Sequence, residues 1–381
     1  MKHFWKICSY ILVAALAACT ALFLAGGNGN AYSKLTELEK VIDTYFVDEV
    51  DHEAMNDAAA AAMIEALGDR WSYYMTAQEY KEYQERMNNA YVGVGITITQ
   101  REDGYITVLK VEPSGPAAEA GILAGDVIVT AQGQDISAME IDQIKDIIRG
   151  EEGTTVKLGL QRDGKTLEKE VERRTVERTV ATSQMLEGQI GLVTIVNFDG
   201  RCYEETRKGI ENLLDQGAKA LIFDVRFNPG GYKHELVNIL DYLLPEGPLF
   251  RSVDYRGKEN VDMSDAACLE IPMAVLINGD SYSAAEFFGA ALREYGVAKL
   301  VGQPTTGKGH FQTSFKLSDG SAAVISIGKY CTPNGVSLSN VGLTPDVTVE
   351  IDAETYQNIY FGMIPPEEDP QIQAAVAALS E

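Results

Sequence analysis

Three short segments of the chain carry groups that could catalyse acyl transfer. Ser283 follows the apolar run 272–278 and a tight GDSY turn, a strand–turn–helix placement that exposes a side chain at the edge of a sheet. Lys308 comes 25 residues later, between two glycines in TTGKGHFQ. Lysine acts as a general base only when its amine is neutral, which requires burial. Phe311, Phe287 and Phe288 are apolar neighbours that could supply it.

Each of these residues also has a purely structural interpretation. The sequence from Ser283 to Glu286 is a capping-box pattern, in which the hydroxyl accepts the N–H of Glu286, and the local sequence alone favours this role. Ser281 is a second candidate on the same turn. Lys308 alone is typical of an exposed loop lysine, but Gln312, four residues on, would share its side of a helix or a strand and could hydrogen-bond its amine.

The third segment, FDVRFNPGG at 223–231, could supply backbone donors. A buried strand here runs into a sharp turn that leaves the N–H groups of Gly230 and Gly231 available to an oxyanion. An ordinary β-turn is the alternative, because Pro-Gly is common in turns.

Periodicity indicates three regions that position these segments. Residues 31–88 show helical spacing, with Gly68 as a C-cap and DRWSYYM as an aromatic turn. Short alternating strands with glycine punctuation follow to about residue 177, including a hairpin with a type I′ Asp163-Gly164 turn. Strands then alternate with amphipathic helices, which predicts α/β layers, and a short helix starts near Asp369.

The middle region resembles a PDZ domain. The resemblance rests on the string GPAAEAGILAGDVI at 115–128 and on a loop that matches the carboxylate-binding loop, Gly93, Val94, Gly95 and Ile96. Convergent backbone N–H groups and an exposed strand edge suit a peptide with a free C-terminus.

The whole chain after about residue 35 resembles the carboxy-terminal processing peptidases, also called tail-specific proteases. The matching segments, in family order, are DVRFNPGG, INGDSYSAAEFFGAAL, GQPTTGKGHFQ and KYCTPNGVSLSNVGLTPDVTVE. The resemblance implies an α/β (α+β) multidomain fold, with a ClpP/crotonase-like peptidase core, a PDZ domain and an N-terminal helical region. It also implies Ser283 as nucleophile, Lys308 as general base and Gln312 as its assistant. The oxyanion donors would be the N–H of Ala284 and of Gly230 or Gly231, with a slight preference for Gly230.

Two positions depart from the family, and one residue has an implied regulatory role. Tyr282 replaces a small residue, and Thr306 stands where an aromatic is common, which puts details of the substrate pocket in doubt. Arg149 matches an arginine that links the PDZ domain to the catalytic core in some bacterial relatives. A helix C-terminal arginine followed by Gly150 as C-cap is the alternative.

Composition limits the partners and the location. A net charge of −24 argues against nucleic acid. Residues 7–25 form an apolar run after Lys2 and Lys6 that would span roughly 28 Å as a helix. An uncleaved signal-anchor with the catalytic part outside the cytoplasm is the first interpretation, a cleaved signal peptide the second, and lipidation at Cys19 the third. Scattered cysteines without CxxC or HxxxH spacing indicate no disulfide framework, metal site or cofactor.

We therefore expect a single-pass membrane serine endopeptidase that cuts extracytoplasmic proteins near their C-termini, with a homo-oligomer as an option. A membrane-tethered PDZ adaptor with an inert peptidase-like domain is the alternative, and intact Ser283, Lys308 and Gln312 argue against it. A Ser-His-Asp hydrolase is a poor third, since few histidines are available. The expected domains are a membrane anchor or signal segment (1–30), an N-terminal helical region (31–88), a PDZ domain (89–177), a peptidase core (178–365) and a C-terminal helix (366–381).

Overall fold

The computed structural model describes residues 33–379, so the apolar run 7–25 and Cys19 lie outside the described residues. The described residues divide into two compact units at residues 63 and 64. The described helices are α1 (Ser33–Tyr45), α2 (His52–Glu65), α3 (Ala77–Met87), α4 (Pro116–Glu119), α5 (Ile141–Ile148), α6 (Cys202–Asp215), α7 (Lys233–Leu243), α8 (Ala284–Glu294), α9 (Ala353–Tyr360) and α10 (Pro370–Ala378).

The described strands are β1 (Tyr73–Met75), β2 (Ala90–Gly93), β3 (Ile96–Gln100), β4 (Ile106–Val111), β5 (Val127–Ala131), β6 (Gln134–Asp135), β7 (Thr155–Arg162), β8 (Lys165–Glu172), β9 (Arg174–Glu177), β10 (Ala181–Leu186), β11 (Ile190–Ile195), β12 (Ala220–Asp224), β13 (Gly247–Asp254), β14 (Glu259–Ser264), β15 (Met273–Ile277), β16 (Ala298–Gly302), β17 (His310–Lys316), β18 (Ala322–Cys331) and β19 (Val347–Thr348). The mixed α/β fold class expected from the sequence is confirmed.

The helical region near the N-terminus differs from expectation at one point. Helices α1 and α2 lie where the periodicity predicts them, and none of the helices between residues 33 and 379 combines the length and apolar character needed to cross a bilayer. The aromatic turn DRWSYYM, however, contains strand β1, which pairs antiparallel with β18 at Tyr73–Val324 and Met75–Ala322. The predicted aromatic turn therefore ends in a strand, because Met75 is buried against that sheet and tertiary pairing decides its conformation.

The PDZ region forms its own sheet and core. Strands β3, β4, β5, β7 and β8 lie side by side in that order, with β6 on β5, which leaves β3 at an edge. The β7–β8 hairpin closes through Asp163 and Gly164, both at positive φ as a type I′ turn requires, so this prediction is confirmed. Strands β2 and β9 pair with each other where the chain enters and leaves the region.

A second sheet, mostly parallel, supports the catalytic segments. Its order is β10-β11-β12-β15-β16-β19, with only β10 antiparallel. Strands β12 and β15 are fully buried, as the continuous apolar runs predict for strands covered on both faces. Helix α10 covers one face through Ile372, Ala375 and Ala378.

Helix α8 lies between this parallel sheet and an antiparallel sheet of β1, β18, β13, β14 and β17. Phe288 packs edge-on against Phe223 of β12, 5.2 Å between ring centroids, while Phe287 packs edge-on against Tyr330 of β18 at 4.4 Å. Both phenylalanines are fully buried, which contributes about 1.5–3 kcal/mol each. Two adjacent residues thus fix the first turn of α8 from opposite sides.

A buried ion network connects the strand that precedes the glycine turn to the C-terminal helix. Arg226, 7% exposed, donates to Asp224 at 2.6 and 2.9 Å and to Asp369 at 2.8 Å. Asp369 also caps α10 by accepting the N–H groups of Gln371 and Ile372. The network therefore fixes the start of the FNPGG turn against α10.

Removing Asp369 takes away one of the two carboxylates that bind the buried Arg226 guanidinium, and it also removes the N-cap of α10. We expect Asp369→Ala to lower the free energy of unfolding by about 2–4 kcal/mol, from one charge-assisted hydrogen bond and one helix cap. Urea titration followed by circular dichroism measures this loss. Asp352→Ala is the matched control, because Asp352 caps α9 through the N–H of Thr355 but is exposed. Similar losses in the two variants would show that capping, and not the buried network, accounts for the effect.

Candidate active site

Ser283 stands at the entrance of α8 in a strained conformation. Its φ of 58° and ψ of −125° lie outside the regions that L-residues ordinarily occupy. Such backbone strain clusters at functional sites, and a nucleophile on a strand–turn–helix junction is one setting in which it occurs. The turn that follows β15 therefore presents the Ser283 side chain away from the sheet and into a cleft.

Ser281, the second candidate on this turn, has a structural role. It is fully buried, and its Oγ donates to the carbonyl oxygen of Val225 at 2.7 Å and accepts the N–H of Asn278 at 3.0 Å. These bonds hold the turn after β15 to the end of β12. Its hydroxyl is therefore not available to a substrate.

The capping pattern is present at Ser283, and it leaves the hydroxyl in contact with the cleft. The Glu286 carboxylate accepts the N–H of Ser283 at 3.0 Å, and the N–H of Glu286 donates to the Ser283 carbonyl oxygen at 2.9 Å. Ser283 Oγ accepts a hydrogen bond from the hydroxyl of Tyr330 at 3.0 Å. Capping and exposure of the nucleophile are thus compatible at this position.

Lys308 lies in the same cleft with its amine over aromatic rings. Its Nζ is 4.7 Å from the ring centroid of Trp71 and 5.9 Å from that of Tyr282. Burial lowers the pKa of Lys308 to about 8, although the charges of Glu286 and Asp69 raise it in part. Within residues 33–379 no carboxylate forms an ion pair with this amine. At mildly alkaline pH a large fraction of Lys308 is therefore neutral.

Glu286 positions both residues, and the sequence analysis treated it only as part of a capping box. Its side chain is fully buried, and burial raises its pKa. One carboxylate oxygen accepts from Thr305 Oγ1 at 2.5 Å and from the N–H of Gly307 at 2.8 Å, and the other accepts the N–H of Lys308 at 2.9 Å. Since the second oxygen also binds the N–H of Ser283, one side chain ties the serine turn to the lysine loop.

The glycine turn packs directly against the serine. A Cβ on Gly230 would lie 2.7 Å from Ser283 Cβ and 2.9 Å from the nitrogen of Ala284, so only glycine fits there. The N–H of Gly230 donates to Asn228 Oδ1 at 2.8 Å. In the described part of the chain the N–H groups of Gly231 and Ala284 make no hydrogen bond. The slight preference for Gly230 as oxyanion donor therefore shifts to Gly231.

Gln312 lines the cleft, but its contacts differ from those expected. Its amide nitrogen donates to the carbonyl oxygen of His310 and to Ser326 Oγ, each at 3.0 Å. No hydrogen bond joins Gln312 to the amine of Lys308 among the described residues. The offset of four placed both side chains on one side, but a bulge between Phe311 and Gln312 alters the register of β17 there.

Tyr330 is a site residue that no motif or spacing in the sequence predicts. It lies 47 positions after Ser283, near the end of β18 and directly after Lys329, and is 4% exposed. Burial raises its pKa, so the hydroxyl stays protonated and remains a donor to Ser283 Oγ. Because the strand that carries it is distant in sequence, only the fold reveals this contact.

The cleft that contains these groups has a volume of about 970 Å³ and largely aromatic walls. It brings together Ser283, Ala284, Gly230, Gly231, Lys308 and Gln312. Among the described residues, one group of three potential metal ligands lies within mutual reach, the exposed Glu39, Asp43 and His52, and none of these lines the cleft. The arrangement offers a nucleophile, a base of lowered pKa and free backbone donors, which is the equipment of acyl transfer without a metal ligand set.

The PDZ loop and Arg149 lie away from the cleft. Gly93, Val94 and Gly95 are buried and Ile96 is half-buried; Val94 belongs to the PDZ core. The N–H groups of Val94 and Gly95 make no hydrogen bond within residues 33–379, while their carbonyl groups accept from Ala117 and Glu112. Arg149 directly follows α5, half-buried, and its charge acts on Tyr91 of β2.

Replacing Glu286 tests whether one carboxylate positions both the serine and the lysine. We expect Glu286→Gln to lower kcat by about 10²-fold, because an amide offers one acceptor oxygen to four donors and lets both loops shift. Steady-state kinetics measures the change in kcat, and thermal melting measures the effect on the stability of the fold. Glu294→Gln, on the same helix but away from the cleft, should leave kcat unchanged. Full activity in Glu286→Gln would contradict a positioning role.

Comparison with known proteins agrees with this geometry. Residues 189–349 match the model of peptidase family S41, and residues 92–172 match that of the PDZ domain. The carboxy-terminal processing protease CtpA of Bacillus subtilis is 29% identical over 366 residues, which cover 92% of this chain and 78% of that protein. A carboxy-terminal-processing protease of Bartonella bacilliformis is 29% identical over 364 residues, covering 92% of this chain and 82% of the relative.

A solved structure supports the fold. A putative S41 protease from Bacteroides fragilis superposes with a TM-score of 0.56 at 16% identity, covering 84% of this chain and 90% of that one. The chain therefore contains a peptidase family S41 domain and a PDZ domain, and over most of its length it is similar to carboxy-terminal processing serine proteases.

Proposed function

We propose that the chain cleaves proteins near their C-termini with Ser283 as nucleophile and Lys308 as general base. The observation that carries the proposal is the pairing of a strained serine with a lysine of lowered pKa in one cleft, both held by Glu286. Lysine replaces histidine as the base if its amine is neutral near the working pH. The lowered pKa of about 8 meets that requirement.

The reaction proceeds in two steps. Ser283 Oγ attacks the carbonyl carbon of the scissile bond, its proton moves to Lys308 Nζ, and the oxyanion accepts hydrogen bonds from the N–H groups of Ala284 and Gly231. Lys308 then gives the proton to the leaving amine, and an acyl-enzyme remains. A water molecule attacks the ester carbon with Lys308 again as base, which releases the new C-terminus and restores Ser283.

In the substrate-free chain the proton path is not yet closed. Ser283 Oγ accepts from Tyr330, and within the described residues no hydrogen bond joins it to Lys308. A hydroxyl can accept from Tyr330 and donate at the same time, so Tyr330 leaves the proton of Ser283 free for the lysine. Catalytic hydrogen bonds commonly tighten only when substrate binds. Gln312 would then line the part of the cleft that the substrate occupies.

The PDZ domain would recognise the substrate's C-terminus. Strand β3 has an open edge, and the two loop N–H groups of Val94 and Gly95 are available to a carboxylate once the buried loop admits it. Gly95 is at φ +82°, and a Cβ there would approach Gly115 Cα to 3.3 Å. The charge of Arg149 acts on Tyr91 of β2, the strand through which the chain enters the PDZ region, and we retain Arg149 as a regulatory residue.

The location remains part of the proposal. The apolar run 7–25 with its preceding lysines supports a single-pass anchor and an extracytoplasmic catalytic part. A cleaved signal peptide and lipidation at Cys19 are alternatives to the anchor, and self-association is a further possibility. Membrane fractionation and mass determination of the purified chain distinguish them.

Loss of either dyad member should abolish cleavage. We expect Ser283→Ala and Lys308→Ala to lower kcat by about 10³-fold or more on an unstructured protein with an apolar C-terminus, followed by mass spectrometry. Both variants should melt like the wild type. Two exposed residues that do not line the cleft give matched controls, Ser318→Ala and Lys316→Ala, which should cut normally.

Cleavage that survives Lys308→Ala would overturn the dyad, and an inert wild type that still binds the substrate would support the adaptor alternative. Repeating the assay on a substrate with an amidated C-terminus separates the PDZ role. Amidation should reduce kcat/KM while cleavage still depends on Ser283.

A further inference from the structure

One buried carboxylate in the cleft takes no part in the proposed mechanism. Asp199 follows β11 and is 4% exposed. Its backbone N–H donates to Asn197 Oδ1 at 3.0 Å, but its Oδ1 is buried without a hydrogen-bond partner. Buried polar groups are nearly always hydrogen-bonded, so an unpartnered carboxylate oxygen in a substrate cleft requires an explanation.

Asp199 lies next to the glycine turn, on the side away from the nucleophile. Phe198 forms a parallel bridge with Gly231, and the N–H of Tyr232 donates to the Phe198 carbonyl oxygen at 2.7 Å. A Cβ on Gly231 would lie 2.6 Å from Asp199 Oδ1, just as one on Gly230 would touch Ser283. Two successive glycines thus lie between Asp199 and Ser283, and both of these residues line the same cleft.

The charges around Asp199 do not neutralise it. Arg86 and Glu235 act on it with opposite sign, and the tyrosines that face it are Tyr83, Tyr232 and Tyr282. In the described part of the chain no cation lies within ion-pair distance, and Asp199 is the only carboxylate among the described residues that line the cleft. Burial raises its pKa to about 7, because the ionised form lacks donors.

We propose that Asp199 binds the cationic side chain of a substrate lysine or arginine close to the scissile bond. A desolvated carboxylate without donors gains a charge-assisted hydrogen bond from such a group. Aromatic side chains line the cleft beside it, and Arg86 lies 5.4 Å from the ring centroid of one of them, Tyr83, so these walls already accommodate a cation. This specificity rests on the proposed peptidase function and adds a substrate class to it.

The test compares peptides that differ in one charged group. In a set of otherwise identical substrates, lysine replaces norleucine at each position within two residues of the scissile bond, and kcat/KM is measured at pH 8 with the full-length chain. At one position the wild type should prefer lysine by about 10-fold to 100-fold. Asp199→Asn should lose that preference and keep kcat/KM for the norleucine peptide. Asp215→Asn, an exposed aspartate outside the cleft, should keep the preference.

Other outcomes overturn the inference without touching the peptidase function. If Asp199→Asn lowers kcat/KM equally for the lysine and norleucine peptides, Asp199 binds a main-chain N–H of the substrate and not a side-chain cation. If the wild type cuts the lysine and norleucine peptides at equal rates at every position, the cation site is ruled out. Failure to cut any peptide would count against the proposed function itself. Thermal melting gives an independent readout: above pH 7 Asp199→Asn should melt higher than the wild type, because the uncompensated carboxylate is gone. A lower melting temperature would show that Asp199 is already satisfied in the folded chain.

Discussion

The geometry of the site depends on a single buried carboxylate. Glu286 accepts four hydrogen bonds, from the N–H groups of Ser283, Gly307 and Lys308 and from the hydroxyl of Thr305. Burial alone would favour its neutral form, but each of these donors favours the charged one. Its negative charge also acts on Lys308 and opposes the fall in that amine's pKa. The same group therefore sets both the distance between nucleophile and base and the basicity of the base.

Around this carboxylate, the two sheets hold α8 so tightly that strain at its entrance is tolerated. Phe287 and Phe288 anchor the first turn of the helix to opposite sheets, and Ser281 ties the preceding turn to the end of β12. A serine at φ 58° persists only where its surroundings determine it. The Arg226 network fixes the glycine turn in the same way, because it joins the end of β12 to α10. Fold stability and site geometry thus share the same contacts.

The fold class and the main site residues follow from the sequence, since they depend on local patterns. Period-two and helical runs predicted the layers, and the GDSY turn and the glycine-flanked Lys308 were visible as short motifs. Contacts between distant segments were not visible. Tyr330 reaches Ser283 from another sheet, β1 becomes a strand only because β18 offers a partner, and a bulge in β17 redirects Gln312. Asp199 was not selected from the sequence, because its lack of donors is a property of the packed structure.

Catalysis by this site requires that the fold shield the amine of Lys308 from water well enough for it to act as a base. The pKa of this amine can be measured directly. Wild type and Lys308→Arg, both labelled with ¹³C at the lysine ε carbon, are titrated by NMR between pH 6 and 11, and the resonance absent from the variant is that of Lys308. A midpoint at about 8 would agree with the buried amine over Trp71. A midpoint near the ordinary lysine value of about 10.4 would mean that the amine is charged at neutral pH, and would contradict the account.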